Sequence, residues 1–296
     1  MNDLRRIIWI ASYPKSGNTW ARSFLANYFQ PTGKSLDINS LRHFTTSDVR
    51  QDFFDKANGR PFHGKSLEEW IKIRPKVLRL IAASKSGHHF VKTHCQIGKV
   101  GATDLILPEV TAAAIYLIRN PFDIVPSYAR HYGGGIDDAI KRMTDPKASQ
   151  GGPTQILEVI GRWDDHIETW TTAPGLSPYV MRYEDMLADT GKAFRALFGF
   201  LGTPVDQDKL RRALKLTSFK SLQKQERKMG FRERPPVMKQ FFARGTAGGW
   251  RQDLTPAQVA RVRAEFLPTL EKWYPEMLDE TRDFAGDPAG DPKERA

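Results

Sequence analysis

The spacing of apolar residues along the chain predicts strands that alternate with helices. Three short runs, Ile7–Ser12, His89–Thr93 and Ala112–Ile118, have the composition of buried strands. The first run is followed by apolar residues at helical spacing, at Trp20, Phe24, Leu25 and Tyr28. The chain is therefore expected to open as a strand, a turn and a helix.

The second half of the chain continues this alternation. A short strand is predicted at Tyr179–Tyr183, and a helix is predicted to start near Pro121. Four more helices are predicted, at Leu157–Thr171, Gly191–Leu201, Gln207–Leu216 and Pro256–Leu267. Because parallel strands need crossover connections, this order implies an α/β fold with a mainly parallel central sheet flanked by helices.

Three polar or Gly/Pro-rich stretches interrupt these elements and are predicted to be loops or lids. They are Phe44–Gly64, Gly133–Pro153 and Lys224–Gly249. The chain has no internal repeat and no clear linker, so residues 1–282 are predicted to form a single domain. Residues 283–296 are predicted to form a flexible tail.

The chain of 296 residues carries a formal net charge of +11. This charge suits nucleic acid, an anionic membrane or a small polyanion such as a bisphosphorylated nucleotide. Lysine and arginine are spread along the chain without a long basic tail, which favours a local anion site over a nucleic-acid partner. No stretch approaches the roughly twenty apolar residues that span a bilayer, so no membrane span is predicted.

Cys95 is the only cysteine in the sequence. An internal disulfide and a cysteine-based zinc cluster are therefore excluded, which agrees with a reducing compartment. The apolar run Ile7–Ala11 is too short for a secretory signal, since Tyr13 and Pro14 interrupt it. We expect a cytoplasmic protein with a packed Cys95 thiol and no metal site.

The segment between the first strand and the first helix reads Tyr-Pro-Lys-Ser-Gly-Asn-Thr-Trp, at residues 13–20. A helix that begins at such a turn presents free backbone N–H groups and the positive end of its dipole to an anion. Lys15 adds a positive charge, while Ser16 and Thr19 add hydroxyl donors. Gly17 lets a ligand approach the backbone closely. The turn is not a Walker A loop, because its lysine precedes the glycine.

Two more groups of polar residues follow predicted strands, where parallel α/β sheets place their functional groups. Arg119 ends the third predicted strand, and Ser127 follows eight residues later, so a guanidinium and a hydroxyl are available to clamp a phosphate. A Lys-Thr-His segment at residues 92–94 ends the second strand, and a histidine with a pKa near neutrality suits proton removal. These residues predict a second anion site and a candidate base.

Residues 13–20 closely resemble the 5′-phosphosulfate-binding loop of cytosolic-type sulfotransferases, with the pattern Tyr-Pro-Lys-(Ser/Ala)-Gly-Thr-Thr-Trp. The resemblance implies a P-loop NTPase-like sulfotransferase fold. It implies PAPS (3′-phosphoadenosine 5′-phosphosulfate) as co-substrate and PAP as product. No metal is expected, because no cluster of metal ligands appears in the sequence and lysine and arginine charges can support the transfer. The residues implied to hold the 5′-phosphosulfate are Lys15, Ser16, Gly17, Asn18 and Thr19, with Trp20 stacking near the adenine. Asn18 stands where the family usually has threonine.

Further motifs of this family follow in the expected order. The sequence Arg-Asn-Pro at residues 119–121, together with Ser127, is similar to the 3′-phosphate signature. By the same similarity, the adenine pocket is lined by Tyr183, Thr217 and Phe219. We therefore expect Lys15 and Arg119 to bind opposite ends of one adenosine bisphosphate donor and to orient its sulfonyl group toward His94.

A segment at residues 242–251 is similar to the lid motif Arg-Lys-Gly-x-x-Gly-Asp-Trp-Lys of the family. The similarity places Arg244 and Gly245 at the 3′-phosphate. Ala243 stands in place of the first basic residue of the motif, and Gly249 in place of its acidic residue. The donor site is thus expected to have one cation fewer than the family pattern.

The Lys-Thr-His segment also matches a motif of the family, and the match implies roles in sulfonyl transfer. His94 is assigned as the general base, and Lys92 is assigned to the sulfonyl oxygens in the transition state. Lys15 would neutralise the departing phosphate, and Ser127 is implied to hold Lys15 away from the bridging oxygen until the acceptor arrives. Since family members outside the cytosolic type use a carboxylate base, glutamate or aspartate stays open.

The acceptor is predicted to be a small molecule bound between the motifs, through a hydroxyl or an amine. Aromatic residues in these segments favour an apolar or phenolic acceptor, among them Phe53, Phe54, Phe62, Tyr132 and Phe241. Two other classes stay open. A P-loop-type nucleotide kinase would explain the first turn but lacks Gly-Lys-Ser/Thr, and a basic nucleic-acid-binding protein would explain the charge without any recognisable motif. The oligomeric state is left undetermined.

Overall fold

The structure is a computed structural model that describes residues 4–31, 35–63, 66–152 and 155–286. The strands are β1 (Ile7–Ser12), β2 (Thr46–Ser47), β3 (His89–Thr93), β4 (Lys99–Val100), β5 (Thr103–Asp104), β6 (Thr111–Ile118), β7 (Ser149–Gly152), β8 (Gln155–Val159) and β9 (Tyr179–Arg182). Five of them form a central sheet in the order β2-β3-β1-β6-β9, and every neighbouring pair in it is parallel. The other four form two antiparallel two-stranded sheets, β4 with β5 and β7 with β8. The predicted α/β class with a parallel sheet is confirmed.

Helices follow or precede each strand of the central sheet. They are α1 (Asn18–Phe29), α2 (Leu41–Phe44), α3 (Gln51–Asn58), α4 (Leu67–Ala83), α5 (Pro121–Tyr132), α6 (Ile136–Met143), α7 (Trp163–Thr172), α8 (Tyr183–Ala188), α9 (Thr190–Phe200), α10 (Gln207–Leu216), α11 (Phe219–Met229), α12 (Trp250–Asp253), α13 (Pro256–Trp273) and α14 (Glu276–Ala285). In the described part of the chain, no helix is long and apolar enough to cross a membrane.

The two faces of the central sheet are buried against different helices. Because successive side chains of a strand point to opposite faces, Trp9 lies in one core with α4 and α7, whereas Ile10 lies in another with α1, α9 and α10. Both side chains are fully buried. Burial of an apolar side chain stabilises by about 1.5–3 kcal/mol, so apolar layers on both faces hold the sheet in place.

The parallel strands bring their carboxyl ends to one edge of the sheet. Ala11 of β1 is in register with Thr93 of β3 and with Tyr116 of β6. The segments that follow these three strands therefore leave the sheet side by side. They carry the predicted anion-binding turn, the candidate base and the second anion site, so the topology alone brings the three motifs together.

The predicted helix Leu157–Thr171 is wrong in its first part. Residues 155–159 form β8, and α7 begins only at Trp163. Burial alternates from Ile156 to Ile160, which is the period of a strand and not of a helix. Gly161, with a φ of 70°, separates the strand from the helix.

Two predicted loops contain regular elements. Phe44–Gly64 includes β2 and α3, and Gly133–Pro153 includes α6 and β7. Helix α3 has only two buried residues, Phe54 and Ala57, so its apolar pattern is too sparse to read from sequence. In the third predicted loop, Lys224–Gly249, α11 extends to Met229.

The last two helices extend beyond what the sequence predicted: α13 continues to Trp273, and α14 was not predicted. Helix α13 is kinked at Phe266, two residues before Pro268, near its predicted end at Leu267. Helix α14 continues to Ala285, beyond the predicted start of the tail at residue 283. Residues 287–296 of the predicted tail lie outside the described residues.

Candidate active site

A cavity of about 670 Å³ is lined by residues from the carboxyl edge of the sheet, and this volume is typical of small-ligand sites. The predicted site residues in its lining are Lys15, Gly17, Asn18, Thr19, Trp20, Lys92, His94, Arg119, Ser127, Tyr183, Thr217, Phe219, Arg244 and Gly245. Ser16 lies within the same turn and is fully buried. The structure thus brings together residues that the sequence assigned to separate motifs.

The turn at residues 13–20 has an unusual backbone. Lys15 has a φ of 73°, a left-handed conformation that lysine rarely adopts and that is typical of functional sites. Gly17 has a φ of 96°, and a Cβ atom at this position would lie 2.7 Å from the ring of Tyr183. Helix α1 begins at Asn18, so the N–H groups of its first turn have no partners within the helix. These groups are available to an anion.

Asn18 connects this turn to the candidate base. Its Nδ2 atom donates to the carbonyl oxygen of Ile10 at 3.0 Å and to Ser12 Oγ at 3.2 Å. His94 Nδ1 lies 2.8 Å from the carbonyl oxygen of Ser12, which can only accept, so Nδ1 carries the proton. His94 Nε2 is then the atom with a free lone pair. The side chain of Asn18 points to the strand, so this residue offers an anion its backbone N–H only.

The backbone of His94 is held on both sides. Its N–H donates to Glu158 Oε1 at 3.3 Å, and its carbonyl oxygen accepts from His166 Nε2 at 3.1 Å. Burial, followed by the positive charge of Lys92, lowers the pKa of His94 well below its usual range. The imidazole is therefore neutral near neutral pH, which is the form that accepts a proton.

Lys15 contacts a residue to which the sequence analysis assigned no role in holding this lysine. Its ammonium Nζ lies 3.1 Å from His131 Nδ1 and 4.3 Å from the centre of the Phe241 ring. Burial, followed by the charge of Arg119, lowers the pKa of Lys15 to about 7. Burial, followed by Lys15, lowers the pKa of His131 to about 3, so the imidazole is neutral and accepts. The partner of Lys15 in this structure is His131, whereas the family resemblance implied Ser127.

Arg119 links the two predicted anion sites. Its Nη1 donates to the carbonyl oxygen of Lys15 at 3.1 Å, and its guanidinium carbon lies 4.2 Å from the centre of the Tyr183 ring. The Tyr183 ring in turn meets Trp20 edge to face, at 5.8 Å between ring centres. Within the described ranges, Arg119 Nε is buried without a hydrogen-bond partner. An unpaired buried donor marks a position that an anionic oxygen would satisfy.

Thr217, Phe219 and Gly245 also line the cavity. The Thr217 hydroxyl donates to the carbonyl oxygen of Ala213 at 2.7 Å, so only its acceptor capacity remains for a ligand. Gly245 has a φ of 65°, and a Cβ atom there would overlap the Phe219 ring. The lid backbone therefore packs directly against this ring, because residue 245 has no side chain.

An ion pair near Lys92 was not predicted. Arg22 pairs with Glu233 at 2.6 Å between Nη2 and Oε1, and its Nε donates to Thr45 Oγ1 at 3.1 Å. Burial raises the pKa of Glu233, but the charges of Arg22 and Lys92 outweigh it and lower the pKa overall. Glu233 therefore remains ionised at the cavity wall.

Helix periodicity offered a signal for the missed residues. Arg130 and His131 follow Ser127 by three and four residues on α5, and Arg22 follows Thr19 by three on α1. Residues at this spacing lie on one face of a helix. All of them line the cavity. Glu233 lies between elements, and no sequence pattern pointed to it.

The structure places some of the aromatic residues predicted for the acceptor in the cavity and others in the hydrophobic core. Tyr132 and Phe241 line the cavity. Phe54 and Phe62 are instead buried in the main core, with 5.3 Å between their ring centres, so they anchor the loop. Phe53 packs on the same core as a partly buried side chain.

The structure shows no metal cluster in the part of the chain that it describes: no three His, Cys, Asp or Glu residues lie close enough to hold an ion. The expectation that catalysis needs no metal stays a prediction. Cys95 is buried, and burial raises the pKa of its thiol to about 12, so it is a packed, protonated thiol.

The fold and the cavity define an α/β protein with an anion-binding turn at the carboxyl edge of a parallel sheet. The sequence model of the family described as the sulfotransferase domain matches residues 5–274. The chain therefore belongs to the sulfotransferase domain family.

Individual relatives agree with this assignment. Sulfotransferase 2A6 of Rattus norvegicus is 25% identical over 273 residues, covering 91% of this chain and 86% of the relative. Sulfotransferase 2A1 of Macaca fascicularis is 28% identical over 265 residues, covering 84% and 79%.

Solved structures share the fold. Mouse sulfotransferase SULT7A1 complexed with PAP superposes with a TM-score of 0.59 at 17% identity, covering 95% of this chain and 89% of that one. Retinol dehydratase in complex with androsterone and PAP gives a TM-score of 0.60 at 17% identity, covering 89% and 80%. The predicted sulfotransferase fold is confirmed.

Proposed function

We propose that this protein transfers the sulfonyl group of PAPS to a hydroxyl, or an amine, of a small acceptor and releases PAP. One observation carries the proposal: Lys15, His94 and Arg119, which are far apart in the sequence, line one cavity. Membership of the sulfotransferase domain family supports the reaction class. Two relatives of the same fold were solved with PAP.

The residues around the cavity fit an adenosine bisphosphate. Its volume of about 670 Å³ lies within the range of nucleotide-sized sites. Ser16 Oγ and Arg119 Nε are buried donors that lack partners among the described residues, and anionic oxygens would satisfy both. We assign residues 15–19 to the 5′-phosphosulfate. We assign Arg119 and Ser127 to the 3′-phosphate.

The adenine is assigned to the aromatic part of the cavity. Trp20 and Tyr183 are in contact with each other, and Phe219, which packs against Gly245, lines the same cavity. Aromatic rings offer large contact area to a flat base, and the free acceptor capacity of the Thr217 hydroxyl suits an amino group.

When bound, PAPS supplies an activated sulfonyl group: the acceptor oxygen bonds to sulfur as the bond between sulfur and the bridging oxygen of the 5′-phosphate breaks. The acceptor proton goes to His94 Nε2, because Nδ1 already donates to Ser12. Lys92 is assigned to the sulfonyl oxygens, where its charge stabilises the transition state. Lys15 is assigned to the departing phosphate. In the structure, the Nζ atom of Lys15 contacts the neutral imidazole of His131.

The acceptor is assigned to the wall next to Lys92 and His94. Tyr132 and Phe241 contribute aromatic surface to that cavity, which suits a phenol or another apolar alcohol. We also expect a cytoplasmic location, since the single cysteine is a buried free thiol.

A transfer assay tests the proposal directly. Purified protein is incubated with radiolabelled PAPS and a panel of phenols, steroids, long-chain alcohols and amines. Label is expected on at least one acceptor, with release of an equal amount of PAP. No binding of PAP in calorimetry would contradict the proposal.

The two other classes make different predictions. A nucleotide kinase would be stabilised by ATP with Mg²⁺ more than by PAP, and thermal shift with each ligand separates the two. A nucleic-acid-binding protein would bind DNA or RNA with an affinity that falls steeply with salt. The family match to the sulfotransferase domain favours neither of them.

A further inference from the structure

Two arginines share a single carboxylate at one end of the cavity. Arg244 donates to Asp253 from Nη1 at 2.5 Å and from Nη2 at 2.7 Å. Arg130 Nη1 donates to Asp253 Oδ2 at 3.3 Å. Each guanidinium has five N–H donors, and one carboxylate takes only part of them. Arg244 Nη1 also donates to the carbonyl oxygen of Gly249 at 3.0 Å. The donors that these bonds leave unused are available to a ligand in the cavity, which both arginines line.

Arg130 lies on the face of α5 that the 3′-phosphate site uses. It follows Ser127 by three residues, and residues at this spacing lie on one side of a helix. Its side chain is 40% exposed, so it is accessible to a ligand. Burial lowers the pKa of Arg130, the charge of Asp253 opposes this, and the charges of Arg244 and Arg119 lower the pKa further. Arg119, Arg130 and Arg244 all line this cavity.

The lid is tied to the same helix. Asp123 of α5 accepts from the backbone N–H of Gly248 at 2.7 Å and of Trp250 at 3.1 Å. Trp250 is fully buried, with its ring centre 5.4 Å from that of Phe122. The relative position of Arg130 and Arg244 is thus set by the packing of the lid on α5.

Both departures from the family lid motif lie at this end. Ala243, in the position of the first basic residue, is exposed at the cavity wall and carries no charge. A Cβ atom at Gly249, in the position of the acidic residue, would lie 2.9 Å from Arg244 Nη1. The carboxylate partner of Arg244 comes from Asp253 instead, and the missing cation has a replacement nearby on α5.

We propose that Arg130 binds the 3′-phosphate of the nucleotide in place of the basic side chain that residue 243 lacks, and that Asp253 orients Arg130 and Arg244 toward this phosphate. A guanidinium binds phosphate through paired N–H donors, so Arg130 makes the site select nucleotides with a 3′-phosphate. The inference rests on the proposed function, since it assumes an adenosine bisphosphate in the cavity.

Calorimetry with PAP and with adenosine 5′-phosphate, which lacks the 3′-phosphate, tests the assignment. Arg130→Ala is expected to weaken PAP binding on the order of 10-fold or more, and to change adenosine 5′-phosphate binding by less than about twofold. Arg130→Lys keeps the positive charge but loses the paired N–H donors of the guanidinium. Its PAP affinity should therefore lie between those of the native protein and Arg130→Ala. Arg79→Ala is the matched control, because Arg79 is an exposed arginine paired with Glu109 outside the cavity lining.

A second variant separates contact from folding. Ala243→Lys, added to Arg130→Ala, is expected to recover PAP affinity, because it returns a cation to the exposed lid position. Equal losses for both nucleotides in Arg130→Ala would overturn the inference, and so would an unchanged affinity for PAP. If Arg130→Ala fails to fold, Arg130→Lys with and without Ala243→Lys carries the same comparison. Failure of the native protein to bind PAP would contradict the proposed function itself.

Discussion

The ammonium nitrogen of Lys15 lies 3.1 Å from Nδ1 of His131, so the lysine assigned to the departing phosphate already has a partner on α5. That partner is neutral, because burial and Lys15 lower the pKa of His131 to about 3. A neutral imidazole competes weakly with a phosphate for an ammonium, because the phosphate adds Coulombic attraction to its hydrogen bond. Lys15 is therefore positioned by His131 without being trapped by it.

The pKa of Lys15, lowered to about 7 by burial and by Arg119, predicts that donor binding depends on pH. Above this pKa the lysine of the free protein is largely neutral, and an anion beside it restores the ammonium. We expect proton uptake when PAP binds near about pH 8, and an affinity that falls as pH rises above about 7. Calorimetry in buffers of different ionisation enthalpy measures the uptake.

Lys15→Met is the control for this prediction. The variant has no group to protonate at this position, so the uptake should disappear while any titration of the PAP phosphates persists. Uptake of the same size in native protein and variant would assign the proton to another group.

His94→Ala is expected to lower turnover by about 10²–10⁴-fold, because it removes the acceptor of the substrate proton. PAP affinity should stay within about twofold, since His94 is not assigned to the nucleotide. His63→Ala, at an exposed histidine outside the cavity lining, is the control. A near-normal rate for His94→Ala would mean that a carboxylate acts as the general base instead. Glu233 lines the cavity, so Glu233→Gln would be the next variant to measure.

Gly245→Ala is expected to weaken PAP binding on the order of 10-fold. The new Cβ would overlap the Phe219 ring, and the positive φ adds roughly 1–3 kcal/mol of strain. Gly202→Ala is a closely matched control. Gly202 has a φ of 62°, compared with 65° for Gly245, and no atom lies within 4 Å of the added Cβ. Comparable PAP losses in both variants would show that backbone strain alone is responsible.

Asp48→Asn is expected to destabilise the protein by about 3–5 kcal/mol, because it leaves the guanidinium of Arg74 buried without its counter-charge. Asp48 Oδ2 accepts from Arg74 Nη2 at 2.7 Å and from Thr93 Oγ1 at 2.8 Å, and both charged side chains are fully buried. Urea unfolding measures the change.

The exposed pair Arg79–Glu109 supplies the comparison, since Glu109→Gln should cost less than about 1 kcal/mol. Equal effects of the two substitutions would mean that the buried pair contributes no more than a surface pair. Asp48→Asn should also slow turnover, since Thr93 directly precedes His94 and shares the Asp48 carboxylate.

Elements with a strong local pattern were predicted well. The strands Ile7–Ser12 and His89–Thr93 and the helix Gln207–Leu216 have the predicted bounds. Residues 157–159 were predicted to be part of a helix but lie in β8, since a short strand is recognised mainly by its partner, which here is β7. Helix α3 was missed because two buried residues define no periodicity.

The sequence by itself determined the chemistry available to this protein: a turn that presents N–H groups, the lysines and the histidine, and the order in which they follow parallel strands. These features are local, because a few consecutive residues set the backbone shape and the type of side chain. Only the tertiary structure decided which side chains meet. Lys15 and His131 are 116 residues apart, and Arg130 and Asp253 are 123 apart, and no local pattern encodes such contacts. They arise from the packing of α5 and the lid against the edge of the sheet, which is a property of the whole folded chain.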